Sequence, residues 1–274
     1  MKSKLAGAIG LASHPLALTW ADGAPAGALQ FKTGTWGCVV SLLAAVATKG
    51  KTAAFHRESY GCWGGGVGLG FGNQYETFPG GVEGFCGFLA HGNNHTETGR
   101  RIGEQLASGP GARLADDFQR GERYTQTPEG TKRFLDSMPM RDIGQTYVVA
   151  KPLDLVDPET EEVKSVTFFV EPDALSALVI LANYSRPEIE NVIIPWAAGC
   201  QIIGIYGYRE LDRPQPRALV GMTDISARHN VRAQFGKNIM SFTMPWPLFL
   251  EMEKNSENCF LQRETWKALH EQRP

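Results

Sequence analysis

The stretch VTFFVEPDALSALVILAN, residues 166–183, indicates how this chain folds. Its first five residues are β-branched or aromatic, which is typical of a buried strand. Pro172 and Asp173 then stand where the first turn of a helix favours them, and an alanine- and leucine-rich run continues to Asn183. A strand followed directly by a helix predicts a mixed α/β protein.

The same alternation extends in both directions along the chain. Further strands are predicted at 16–20, 52–55, 147–150, 192–195, 217–220 and 240–243, further helices at 39–48, 82–91, 98–106, 131–138, 224–231, 247–254 and 264–270, and a connector with partial helix at 114–127. We predict one compact unit, residues 1–274. A faint similarity between 1–145 and 146–274 leaves open two pseudo-symmetric αβ halves around a central cleft.

Composition excludes several classes of protein. The 274 residues carry 27 basic and 29 acidic side chains, so no strongly basic field exists to attract nucleic acid or anionic lipid. No apolar stretch approaches the ~20 residues of a spanning helix, so no membrane partner is expected. The five cysteines are odd in number and widely spaced, which argues against a disulfide framework and favours a cytoplasmic protein.

The densest local feature is a glycine-rich loop. Seven of the twelve residues from Gly61 to Gly72 are glycine. Such a segment suits close approach of backbone to a ligand, or equally a tight turn that enters a closely packed helix. The ligand hypothesis assigns binding to four glycines of this loop: Gly64, Gly65, Gly66 and Gly68.

Cysteines surround this loop. Cys38 and Cys200 are predicted at helix starts, Cys62 precedes the glycines, and Cys86 lies in an apolar setting. Thiolates bind soft metals and iron–sulfur clusters. A metal or cluster site formed by Cys38, Cys62 and Cys200, with Cys86 as a further ligand, is therefore one hypothesis. A reactive thiol and buried structural cysteines are the alternatives.

A charged group follows the strand at 217–220. Asp224 is a credible helix N-cap, and it stands four residues before Arg228. Arg228 either pairs along the helix or holds an anionic group of a ligand in bidentate fashion.

Together, these residues resemble the uncharacterised family named domain of unknown function 169. The resemblance is carried by Cys38 before an alanine-rich helix, by Gly61-Cys62-Trp63-Gly64-Gly65-Gly66, by Gly199-Cys200, and by Gly221-Met222-Thr223-Asp224 with Arg228. It covers nearly the whole chain and implies one αβ architecture but no substrate. It also implies a cysteine near Met222 or Thr223, which this chain lacks, so Cys86 is the remaining candidate for a fourth thiol.

Three functions stay open from the sequence. The first is metal or iron–sulfur binding through the cysteines beside the glycine-rich loop. The second is a binding protein or enzyme for a small anionic or planar ligand, held by the loop and Arg228. The third is a non-catalytic assembly protein, and a homo-oligomer is compatible with each. No particular reaction is indicated.

Overall fold

The strands of this chain join in one mixed sheet, seen in a computed structural model that describes residues 1–108 and 111–271. The strands are β1 (Leu16–Ala21), β2 (Ala53–His56), β3 (Tyr147–Pro152), β4 (Val163–Val170), β5 (Val192–Ile193), β6 (Ala218–Gly221) and β7 (Met240–Pro245). Their order in the seven-stranded sheet is β2-β3-β1-β4-β7-β6-β5. All neighbouring strands are antiparallel except β5 and β6, which are parallel.

Helices cover both faces of this sheet. They are α1 (Lys4–Ala8), α2 (Val39–Lys49), α3 (Trp63–Leu69), α4 (Gly81–Leu89), α5 (Glu97–Ser108), α6 (Ala112–Arg120), α7 (Pro128–Ser137), α8 (Pro172–Asn183), α9 (Gly199–Gln201), α10 (Gly207–Leu211), α11 (Ile225–Asn230), α12 (Arg232–Phe235), α13 (Trp246–Asn255) and α14 (Glu264–Glu271). A π-helical segment, Ile202–Tyr206, joins α9 to α10. We call residues 199–211 the Cys200 segment.

Two hydrophobic cores lie on opposite faces of the sheet. One contains residues of α1, α8, α13 and α14. The other contains residues of α2, α3, α4, α6 and the Cys200 segment. Strand β4 contributes to both cores, because its side chains alternate: Phe168 faces the first core and Phe169 the second. The predicted α/β class and compact unit are therefore confirmed.

Both predicted halves contribute strands to this sheet. Strand β3, from 146–274, lies between β2 and β1, which come from 1–145. The pseudo-symmetry of the two halves stays a prediction.

The prediction that residues 61–72 form a loop was wrong, because most of this segment is helical. Residues Trp63–Leu69 form α3, which ends at Gly70 with a φ of 93°. Glycine is costly within an isolated helix, so packing must stabilise this one. The close partner is the Cys200 segment: a Cβ on Gly204 would lie 1.9 Å from the carbonyl oxygen of Gly68.

The prediction of a connector with partial helix at 114–127 was also incomplete. Helix α6 occupies Ala112–Arg120, with Leu114, Ala115 and Phe118 buried on one face. The polar residues that suggested a connector lie on its exposed side.

A first prediction concerns the contact between Gly68 and Gly204. Gly204→Ala should lower the free energy of unfolding by about 1–3 kcal/mol or more, because backbone rather than a flexible side chain occupies the space. Gly7→Ala is the control, since a Cβ there meets nothing within 4 Å in α1, and helix propensity should leave stability unchanged or raised by up to about 1 kcal/mol. Urea unfolding followed by circular dichroism measures both. Equal stabilities for the two variants would contradict this packing.

Candidate functional site

Three cysteines that are far apart in sequence line one cavity. Cys38 is the N-cap of α2, Cys62 is the N-cap of α3, and Cys200 lies in α9. Cys38 and Cys62 are half-buried, Cys200 is buried, and all three are among the lining residues. The structure thus brings together three of the four cysteines that the sequence singled out.

Glycine packing explains this convergence. A Cβ on Gly65 would lie 2.3 Å from Cγ2 of Val39, so the starts of α2 and α3 touch. A Cβ on Gly68 would lie 2.9 Å from the backbone of Cys200. Bare backbone at these two positions lets three helix starts meet at one point.

Polar groups near two of the sulfurs partly offset the effect of burial. The N–H groups of Val40 and Ser41 and the side chain of Asn230 act to lower the pKa of Cys38. The N–H groups of Gly65 and Val39 act in the same direction on the pKa of Cys62, although neither sulfur makes a hydrogen bond that caps its helix. The thiol of Cys200 instead donates to the carbonyl oxygen of Gly64 over 3.5 Å.

Burial nevertheless keeps these thiols neutral. Desolvation raises the pKa of Cys62 to about 12, and the neighbouring Cys38 adds to the shift. Desolvation also raises the pKa of Cys38, and it raises that of Cys200 well above its ordinary value, with both other cysteines contributing. A thiolate would form here only when a bound group compensates its charge.

Nine aromatic side chains line this space, which we call the aromatic cavity. Its volume is about 180 Å³. The aromatic lining residues are Trp36, Trp63, Tyr75, Phe78, Phe85, Phe88, Tyr124, Phe134 and Trp196. Trp36 and Trp196 are 42% and 41% exposed, so both reach solvent. An apolar space of this size accommodates a small ring: a dry 150 Å³ cavity holds benzene, as known from an unrelated protein.

Tyr75 supplies a buried hydroxyl beside the thiols. It is 1% exposed and stacks on Phe85 with ring centroids 3.9 Å apart. Its hydroxyl oxygen accepts from Nε2 of Gln201 over 2.6 Å. Burial raises its pKa well above the ordinary value, and the nearby Cys200 and Cys62 contribute, so the hydroxyl stays protonated.

A polar corner is formed by Glu122, Tyr124 and Ser226. The hydroxyl of Ser226 donates to Glu122, and the N–H of Ser226 donates to the hydroxyl of Tyr124 over 3.1 Å. Desolvation raises the pKa of Glu122 to about 7, and the carboxylates of Asp117 and Asp224 add to the shift. Glu122 therefore exchanges its proton near neutral pH.

Asp224 holds two helix starts together. As predicted, it is the N-cap of α11, and it accepts from the N–H of Ala227. It also accepts from the N–H of Gly199 over 2.6 Å, at the start of α9. This carboxylate fixes the wall of the aromatic cavity on the Cys200 side.

Three of the four proposed ligand-binding glycines face protein instead. Gly65 packs on Val39, Gly66 on Tyr60 and Gln74, and Gly68 on Cys200. Only Gly64 of the four lines the cavity. These three glycines serve helix packing, because protein atoms already occupy the space in front of each one.

Arg228 and Cys86 do not line the cavity either. The guanidinium of Arg228 donates to the carbonyl oxygens of Met222, Ile239 and Lys237, so both of its terminal nitrogens already have acceptors. Cys86 faces α7, where Thr131 donates to its carbonyl oxygen. Among the residues that the structure describes, no group of three or more His, Cys, Asp or Glu side chains could hold a metal ion as placed.

Sequence reasoning did not find Tyr75, Gln201, Glu122 or Ser226 as a set. Tyr75 stands three residues after the glycine-rich segment, among aromatic residues such as Phe71 and Phe78, and that composition was a signal for it. Glu122 and Ser226 are 104 residues apart and carry no motif.

Comparisons with known proteins agree with the resemblance. The model of the domain of unknown function 169 family, described as uncharacterised ArCR, matches residues 4–255. No curated protein and no solved structure matches the chain. Within the described parts of the chain, no helix has both the length and the apolar character needed to cross a membrane.

A second prediction concerns thiol reactivity. Because the pKa of Cys62 is about 12 rather than its usual 9.0, its thiolate fraction at pH 8 should be about a thousandfold lower than in the unfolded chain. Alkylation by iodoacetamide, followed residue by residue with mass spectrometry, should therefore be slow for Cys62 and Cys200 in the native protein and fast in guanidinium. Rapid native alkylation of Cys62 would contradict the buried, neutral thiol.

Proposed function

The chain belongs to the uncharacterised domain of unknown function 169 family, and we propose that it binds a small planar ligand in the aromatic cavity. The observation that carries this proposal is the enclosure of about 180 Å³ by aromatic side chains, with three thiols and a tyrosine hydroxyl in its lining. Apolar cavities with a few convergent polar groups are typical ligand sites. Unpaired cysteines support a reducing compartment such as the cytoplasm.

The charges around the cavity favour a planar ligand without negative charge over an anionic ligand. The charged lining residues are Asp117, Glu122 and Asp224 against one cation, Arg113. Arg228, proposed to bind an anion, donates to backbone carbonyls instead. An anion would therefore meet carboxylates with little compensation.

A third prediction tests whether benzyl alcohol, used as a probe ligand, binds in the aromatic cavity. A Cβ on Gly64 would stand 3.6 Å from the hydroxyl of Tyr75, in ordinary contact, and would take up cavity space. Gly64→Ala should weaken benzyl alcohol binding about tenfold, which is the effect of one methyl group in a tight pocket. Ligand-detected NMR at millimolar probe measures this.

Gly130→Ala is the matched control. Gly130 lies in α7, its Cβ would make ordinary contacts, and it does not line the cavity. If Gly64→Ala binds benzyl alcohol as the wild type does, the probe lies elsewhere and the proposal fails.

A thiolate-bound metal or iron–sulfur cluster is a second candidate for the same cavity. It is favoured by the meeting of Cys38, Cys62 and Cys200, with N–H donors around two of their sulfurs. Such donors stabilise thiolate charge once a cation replaces the protons. The side chains would have to move, because as placed they form no metal-binding group in the described residues.

A fourth prediction separates this candidate from the first. Protein purified without oxygen should then be brown, absorb near ~400 nm and contain iron, and Cys62→Ser should remove the colour, the absorbance and the iron. Cys259→Ser is the control, since Cys259 lies in the core on the other sheet face. If the protein is colourless and free of metal, the metal or cluster candidate fails and only the planar-ligand proposal remains.

A further inference from the structure

We infer that the ligand of the aromatic cavity carries a protonated nitrogen, which the carboxylate of Glu122 binds. This inference rests on the proposed function, because it names the chemical class of the ligand in the same cavity. The relevant end of the cavity is formed by Glu122, Tyr124, Phe134, Trp196 and Ser226.

One oxygen of Glu122 is free to meet a ligand. Ser226 donates to Oε1, and Tyr124 in turn holds Ser226 in place. Within residues 1–108 and 111–271, Oε2 has no hydrogen-bond or ion-pair partner. A half-buried carboxylate that lines a cavity and keeps one oxygen unpartnered is suited to accept from a ligand nitrogen.

Nearby charges do not compensate Glu122. The groups that face it are Asp117 and Arg113 on α6, Asp224 before α11, and the hydroxyl of Tyr124. Arg113 is drawn toward Asp117, 3.7 Å away on the same helix, and is 52% exposed. Asp224 is also near the cation Arg228. The three carboxyl groups therefore outnumber the two nearby cations, and a positive charge on the ligand would restore the balance.

Aromatic rings at this end favour the same charge. Trp196 packs against Phe134 with ring centroids 4.5 Å apart and against Tyr124 at 6.3 Å. Trp196 both lines the cavity and is partly exposed to solvent. The electron-rich faces of such rings attract cations and reject anions.

Tyr75 provides a second polar group in the lining of the cavity, beside the thiols. Tyr75 is fully buried and accepts from Gln201, yet its own hydroxyl proton has no acceptor among the described residues. A buried donor without a partner is costly, and an acceptor on a ligand would relieve that cost. This independent observation points to an occupant of the cavity with polar groups as well as a ring.

The fifth prediction compares three probes with the same ring: benzylamine, benzyl alcohol and benzoate. At pH 8, benzylamine should bind about tenfold or more tightly than benzyl alcohol, the effect of one charge-assisted hydrogen bond. This advantage should shrink as the pH falls from 8 to 5.5, because Glu122, with a pKa of about 7, becomes protonated and loses its charge. Binding of benzyl alcohol should stay constant over this range.

Glu122→Gln should remove both the preference for benzylamine and its pH dependence. Asp116→Asn is the matched control, because it removes the same charge from an exposed residue of α6 that pairs with Arg120. Ligand-detected NMR measures each affinity, and the wild-type pH profile stands as a test on its own if the Glu122 variant does not fold.

The outcomes separate the two proposals. Equal binding of benzylamine and benzyl alcohol by the wild type, or tighter binding of benzoate, would overturn the inference and leave the proposed function standing. Failure of all three probes to bind would overturn the proposed function, and the inference with it.

Discussion

The arrangement of the helices around the candidate site depends on the close contact between α3 and the Cys200 segment. At Gly68 and Gly204 the two backbones touch with no side chain between them. On its other side, the Cys200 segment lies on the sheet, where Gly207 packs against Ser165 and Thr243. Small residues at each level allow a helix, a π-helical segment and a sheet to stack closely. The destabilising effect of glycine within a helix is offset by this packing.

Three helix starts are brought together by this stacking. Helix N-termini and their N–H groups favour negative charge, whereas burial opposes it. At Cys38, Cys62 and Cys200 burial prevails, so the thiols are neutral. The same donors that cannot ionise the thiols alone would assist a thiolate formed against a bound cation. The thiols are thus poor nucleophiles as placed, and a bound cation would change this by compensating the charge of a thiolate.

Two chemically different polar groups line the aromatic cavity. One consists of the thiols and the hydroxyl of Tyr75, and the other of the carboxyl group of Glu122 with its hydroxyl partners. The apolar residues of the same lining lower the local polarity, which strengthens each polar contact within it. A ligand that contacts both groups would be oriented as well as bound. Orientation of this kind is what distinguishes a specific site from a hydrophobic void.

Local patterns in the sequence determined the strands, most helix positions and the N-cap at Asp224, because these depend on residues within one or two turns. The sequence also identified Cys38, Cys62 and Cys200 as a group. It described 61–72 as a loop because glycine disfavours helices locally, and only tertiary packing against residues 199–211 overcame that preference. The roles of Gly65, Gly66, Gly68, Arg228 and Cys86, and the pairing of Glu122 with Ser226, were decided by the tertiary structure. Those depend on which surfaces meet across more than a hundred residues, and no local propensity encodes such a meeting.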